Sequence, residues 1–275
     1  MGRAGSALAR ALTSPYSVVG RYGRSTEDQR SIVNLEDAEA LHSDIVAICT
    51  NDDSIPEVVR SLLSKTLDHP IVLHMSGSLS SDVLSELREK GCKVASMHPL
   101  VAITGLCDAS VFNGAYFCIE GDDLAVTHAS SLAINLGGMP STIRTEKKPL
   151  YHAAAVMAAG HLVALIDMAK ELMHGSGIDE RSSLNMLRPL INSVIDSVFE
   201  QGTERSLTGT YARGDLQTAK GHLAALDLLE DKVTREVFID LALRSLKLGK
   251  LSGLDHAKAA ELEGLLTVAK NSDEL

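Results

Sequence analysis

A chain of 275 residues has room for one large domain or two modest ones. With 45% hydrophobic and 23% charged residues its make-up is that of an ordinary soluble globular protein, and 3% aromatics without Trp leave the core to Leu, Val, Ile, Ala and Met. A net charge of −10 excludes the positive field that a nucleic-acid binder needs. Cys49, Cys92, Cys107 and Cys118 show no CxxC spacing and read as buried free thiols in a reducing cytoplasm, and no metal site is expected. The opening MGRAGSALARAL is amphipathic and lacks the apolar core of a signal peptide, and the closing NSDEL reads as a polar tail.

In chain order, Gly2-Arg3-Ala4-Gly5 opens into the helical stretch SALARALTS, followed by the β-branched run Ser17–Gly20 and a loop from Arg21 to Ser25. Asp44–Cys49 is a continuous apolar run, the mark of a buried parallel strand. Asn51-Asp52-Asp53 turns into a helix over Ile55–Lys65. Strands are predicted at Ile71–His74, Lys93–Met97, Ala115–Ile119 and Ser141–Arg144, with helices over Ser80–Lys90 and from Asp122 to Leu136. Glu120 and Asp122 read as capping and turn chemistry. Strands alternating with helices imply an α/β fold with a parallel sheet wrapped on both faces. From Pro149 onward the pattern is helical, so the boundary falls near Glu146, giving domains 1–146 and 147–275.

The second half starts with the stretch Pro149–Met173, where His161 and Asp167 are the only polar side chains between Ala153 and Ala169. A helix apolar all round is expected to be buried, with His161 as a core histidine. A membrane span is the weaker alternative, because His161 interrupts a run already short of ~20 residues. Pro149 suits a helix start and places Tyr151 and His152 in the first turn. Further on, Arg213 has the fork to hold a carboxylate, and Asp215 is read as the cap of a helix over Leu216–Leu229.

A dinucleotide site needs a Gly-rich turn between a strand and a helix, so that helix N–H groups meet the pyrophosphate. Gly2-x-x-Gly5 is the second half of G-x-G-x-x-G; the first Gly and its strand would lie before Met1. An acid ~20 positions on would indicate NAD. Arg21, Arg24 and Ser25 stand there instead, two of them guanidiniums suited to a 2′-phosphate, which indicates NADP. Ligands of open parallel sheets bind beyond the strand carboxyl ends. Thr50-Asn51, His74 to Gly77 and His98 occupy such ends.

The blocks HMSGSLSSDVL, VASMHPL, FNGAYFCIEGD, LAINLGGMPSTI, KPLYHAAAVMAAGHLVAL and LTGTYARGD together resemble a bacterial family that pairs a Rossmann-like domain with a C-terminal helical domain of unknown function. That family is similar to the 6-phosphogluconate dehydrogenase and pyrroline-carboxylate reductase superfamily. The resemblance implies a Rossmann-like parallel sheet, its first strand missing here, followed by an all-α domain of 6-phosphogluconate dehydrogenase type. It implies NADP(H) at Gly2, Arg3, Gly5, Arg24, Ser25, Thr50, Asn51 and Ser76. It also implies a homodimer with an active site in the cleft between the domains, lined by His98, Tyr151, His152 and the Arg213-Gly214-Asp215 block. This sequence departs from the pattern in its leading strand, at Gly160 (often Asn) and at Thr210 (usually Pro). Hydride transfer to C=O or C=N needs a group titrating near neutral pH, a role open to His98 and His152, with Tyr151 as a hydroxyl donor. The reading is a cytoplasmic NADP-dependent oxidoreductase acting on a small anionic substrate; the alternative is a non-catalytic NADP sensor or dimeric scaffold.

Overall fold

Apolar runs bounded by turn residues become strands, and amphipathic stretches become helices laid on them. The computed structural model describes residues 2–23, 33–104 and 109–272. Arg24, Ser25, Cys107 and the last three residues lie outside that set. The chain divides into two compact units, Met1–Leu162 and Val163–Leu275.

In the first unit, helix α1 (Arg3–Ala11) starts at Gly2. Strands β1 (Tyr22–Gly23) and β2 (Val33–Asn34) form a short parallel pair. The β-branched run Ser17–Gly20 forms no strand, and Val18 and Val19 are exposed: its propensity finds no partner to pair with. β3 (Ala40–Leu41) pairs in parallel with β5 (Thr66–Leu67). β4 (Ile45–Ile48) leads into α2 (Ile55–Leu63), whose first turn holds Pro56. Next come β6 (Ile71–His74), a 3₁₀ turn over Ser81–Leu84 running into α3 (Ser85–Glu89), and β7 (Lys93–Pro99). β8 (Tyr116–Gly121), α4 (Asp123–Asn135), β9 (Met139–Thr142) and α5 (Lys148–Ala158) complete the unit.

The main sheet has the order β4-β6-β7-β8-β9. It is parallel from β4 to β7, as the strand and helix alternation predicts. It reverses at β8, which runs antiparallel to β7, while β9 is again parallel to β8. The reversal follows from the connection. Between Pro99 and Tyr116 the described residues hold only a 3₁₀ turn at Ala109–Phe112, and a parallel return needs a full crossover. Alternation along the strands sorts two apolar cores. Ile71, Leu73, Ala95, Met97, Phe117 and Ile119 face α1 and α4, while Val72 and Val94 face α2 and α3.

Two acids read as caps have other partners. Asp122 sits at the N-cap position of α4 without a side-chain bond to it; its carboxylate oxygens accept from Arg88 Nε and Val94 N–H, each at 2.9 Å. Glu120 is buried, and accepts 2.8 Å bonds from the Ser81 N–H and hydroxyl, capping the 3₁₀ turn of another element.

The second unit contains the rest of α6 (Gly160–Gly175), α7 (Glu180–Gln201), α8 (Thr203–Ser206), α9 (Thr210–Arg213), α10 (Leu216–Leu226), α11 (Lys232–Leu251) and α12 (His256–Asn271). Asp179, Asp231 and Asp255 cap α7, α11 and α12 through their side chains. Ala219, Ala242, Leu246, Ala259, Leu262 and Leu266 form its core. Asp215 does not cap α10 through its side chain, which pairs with Arg213 instead.

The Pro149–Met173 stretch differs most from expectation. It is two helices, α5 and α6, parted at Ala159, and α6 has no buried residue. His161 is exposed rather than a core histidine, and a Cβ on Gly160 would meet nothing within 4 Å. The inference from an all-apolar helix to burial presupposes a covering layer, and the described residues do not supply one. Residues Thr145–Gly175 form a 31-residue helical stretch long and apolar enough to cross a membrane by length and composition. Its first turn nevertheless holds Lys148, fully buried against the sheet.

Candidate functional site

Two residues beyond the apolar positions Val72 and Val94, the same face of the sheet turns polar. Period-two alternation puts His74 there from β6, and Ser96 and His98 from β7. The antiparallel register places Glu120 opposite Ser96 and Cys118 opposite His98. His74 pairs with Ser96 on the other side.

Helix α5 covers this patch with Lys148, Tyr151 and His152, spaced i, i+3 and i+4 along one helix face. The Lys148 ammonium is 0% exposed and donates to Ser96 Oγ. His98 Nδ1 and the Tyr151 hydroxyl lie 2.9 Å apart, and the His98 and His152 rings meet edge to face at 5.9 Å. Both imidazoles close over Gly77: a Cβ there would stand 2.4 Å from His152 Nδ1 and 2.8 Å from His98 Nε2. A side chain at Gly77 would therefore force the two rings to shift. His152 Nδ1 is buried and has no hydrogen-bond partner among the described residues.

The loop beneath is tightly held. His74 Nε2 faces Ser80 O at 3.1 Å and its Nδ1 accepts from Ser76 N–H at 3.2 Å, which places the ring proton on Nε2. Ser76 Oγ accepts from the N–H groups of Ser78 and Leu79, and Ser78 Oγ donates to Asp52 at 2.5 Å.

Burial, reinforced by the Lys148 charge, lowers His74 and His98 to about 4. Burial also pushes the Tyr151 phenol up and Lys148 down, the latter opposed by Glu120. At neutral pH His98 is thus an uncharged ring beside a protonated phenol. The expectation that His98 titrates near neutrality fails, because desolvation disfavours the imidazolium.

The structure brings together His98, Tyr151 and His152, with Ser76 in the adjoining loop. Gly2, as N-cap of α1, lies beside the carboxyl end of β4, its Cβ position 3.6 Å from Cys49 O, just before Thr50 and Asn51. Arg3 is exposed and Gly5 buried. The Ser76 hydroxyl is occupied within its own loop. Arg24 and Ser25 are outside the described residues. Arg213 belongs to the second unit, where Nε and Nη2 bond Asp215 at 3.0 and 2.7 Å. Lys148 was legible only as a charge three positions before Tyr151, and Cys118 only as a buried thiol.

Residues 1–99 match a Rossmann-like domain model, and residues 115–245 match a domain of unknown function, DUF2520. No curated protein matches the sequence. Among solved structures, a Thermotoga maritima protein is 24% identical, with 90% of this chain and 96% of that one covered and a TM-score of 0.69. A candidate NADP oxidoreductase from Bacteroides fragilis is 17% identical, with 89% and 93% covered and a TM-score of 0.71. The Plasmodium falciparum pyrroline carboxylate reductase with NADP bound is 14% identical, with 98% and 94% covered and a TM-score of 0.50. At these identities the likeness is one of fold. The chain thus joins a segment that matches a Rossmann-like domain to one that matches DUF2520, the second spanning the last two strands of the sheet as well as the helices after them, on a fold seen in the solved structures above.

Proposed function

We propose that this protein is an NADP-dependent oxidoreductase that moves a hydride to or from a small anionic substrate, and that it works as a homodimer. The observation that carries the reading is the convergence of His98, Tyr151 and His152 over Gly77 at the carboxyl ends of the strands. A Rossmann-type sheet presents its ligands there. The first N–H groups of α1 have neither intrahelical acceptors nor a side-chain cap, which suits a pyrophosphate. Gly2, Arg3 and Gly5 would hold it, with Thr50, Asn51 and Ser76 along the rim and Arg24 and Ser25 toward the 2′-phosphate. The orphaned His152 Nδ1 fits a further polar group of a ligand. Fold relatives solved with NADP or NADPH support the same choice of cofactor.

The cofactor supplies the hydride; the chain handles the proton. The Tyr151 hydroxyl stays protonated at neutral pH and donates toward a carbonyl oxygen or imine nitrogen. In the reduction direction His98 Nδ1–H returns a proton to the phenolate while Nε2 takes one from water, and oxidation runs the same relay backward.

NADPH consumption across a panel of 2-keto acids and cyclic imines tests this. At least one class should turn over, and Tyr151→Phe should lower kcat by about 10²–10⁴. Saturable binding with no turnover across the panel would instead favour the sensor reading.

A further inference from the structure

We propose that Lys148 is a positioning residue of this site: its ammonium, through Ser96, fixes the Gly77 loop and the His98–Tyr151 pair against the sheet. The proposal deepens the reductase reading and rests on it only for the reaction the site serves. A lysine in the first turn of a helix ordinarily extends its charge to water, as the exposed Lys147 does. Lys148 turns inward instead and is fully buried. It bonds Ser96 Oγ, and Ser96 Oγ in turn donates to Ser76 O at 3.4 Å, the carbonyl of the peptide that enters Gly77. One cation thus ties α5, β7 and the loop under both imidazoles.

Burying an ammonium is costly unless a countercharge is near. Glu120, opposite Ser96 on β8, is that countercharge; it is held by Ser81 and contributes the strongest opposing pull on Lys148. Around His98 stand Lys148, Tyr151 and His152 from α5, His74 from β6, Cys118 from β8 and Asp52 after β4, with Glu120 two residues along β8, opposite Ser96. Lys148, His152 and His74 act against a charge on the ring, and Asp52 favours it. Removing Lys148 leaves the ring facing Asp52 without that opposing cation.

Imidazole NMR of the full chain, with histidines isotopically labelled, reads this without substrate or turnover. Its outcome is therefore separate from the fate of the reductase reading. In wild type, His98 should titrate at about 4. In Lys148→Met the midpoint should rise by about 1 pH unit, while Lys147→Met leaves it unchanged. An unmoved His98 in folded Lys148→Met overturns the proposal. So does a wild-type midpoint near the ordinary 6.5, which needs no variant at all. Should Lys148→Met not fold, Lys148→Met with Glu120→Gln removes both charges. The same upward shift is then expected, and its absence counts equally against the role.

Discussion

Gly77 is the tightest point of the site, where a side chain would press on two imidazole rings. Gly77→Ala would place a methyl 2.4 Å from His152 Nδ1 and 2.8 Å from His98 Nε2, so the rings must part. We expect that variant to fold, to lose about 10-fold or more in kcat/KM, and to show a displaced His152 resonance. The histidines also fix a pH response. In the folded chain His74 and His98 gain a proton only near 4, against 6.5 for an unperturbed imidazole. Between those values the unfolded chain binds more protons, so stability falls as pH drops from about 6.5 to about 4 and levels off below. For buried His74 the loss is on the order of 3 kcal/mol, visible as a falling urea midpoint. A His74 variant that folds, such as His74→Asn, should flatten that slope. His98, Tyr151 and His152 were legible because each marks a strand end or a helix start. Lys148 was not: sequence shows its charge but not the β7–β8 register that draws it inward.

At the scale of elements, the strands read most directly. Ile71–His74 lies where its apolar run indicates, because a buried parallel strand is apolar on both faces. Direction was illegible: the reversal at β8 depends on the connection after Pro99, and apolar runs look alike either way along the chain. Val18 and Val19 mislead for a related reason, since β propensity is realised only when a neighbour pairs. Asp122 shows how an acid before a helix acquires a tertiary role. Asp122→Ala should cost about 1–3 kcal/mol in urea unfolding, because Val94 N–H loses its side-chain acceptor and Arg88 its partner. A cost near zero would return Asp122 to ordinary turn chemistry.

At the scale of the whole molecule, the exposed apolar side chains on α5, α6 and α7 bear on the proposed dimer. Leu150, Met157, Val163 and Leu190 are exposed, and Phe199 is 87% exposed. The sequence indicates burial there, and the described residues do not supply it. A second copy is the cover proposed above, with α7 the helix to probe because Leu190 and Phe199 face outward on it. Light scattering should give a dimer at micromolar concentration, and Leu190→Asp with Phe199→Asp should shift it to monomer while the fold persists. A wild-type monomer would remove the proposed dimer. The most direct test of the nucleotide site is a titration of NADPH with the wild-type protein, followed by nicotinamide fluorescence. A saturable enhancement is expected, weakened when Gly2 is changed to a bulky residue at the start of α1; a flat trace up to millimolar NADPH would contradict the cofactor assignment and the oxidoreductase reading built on it.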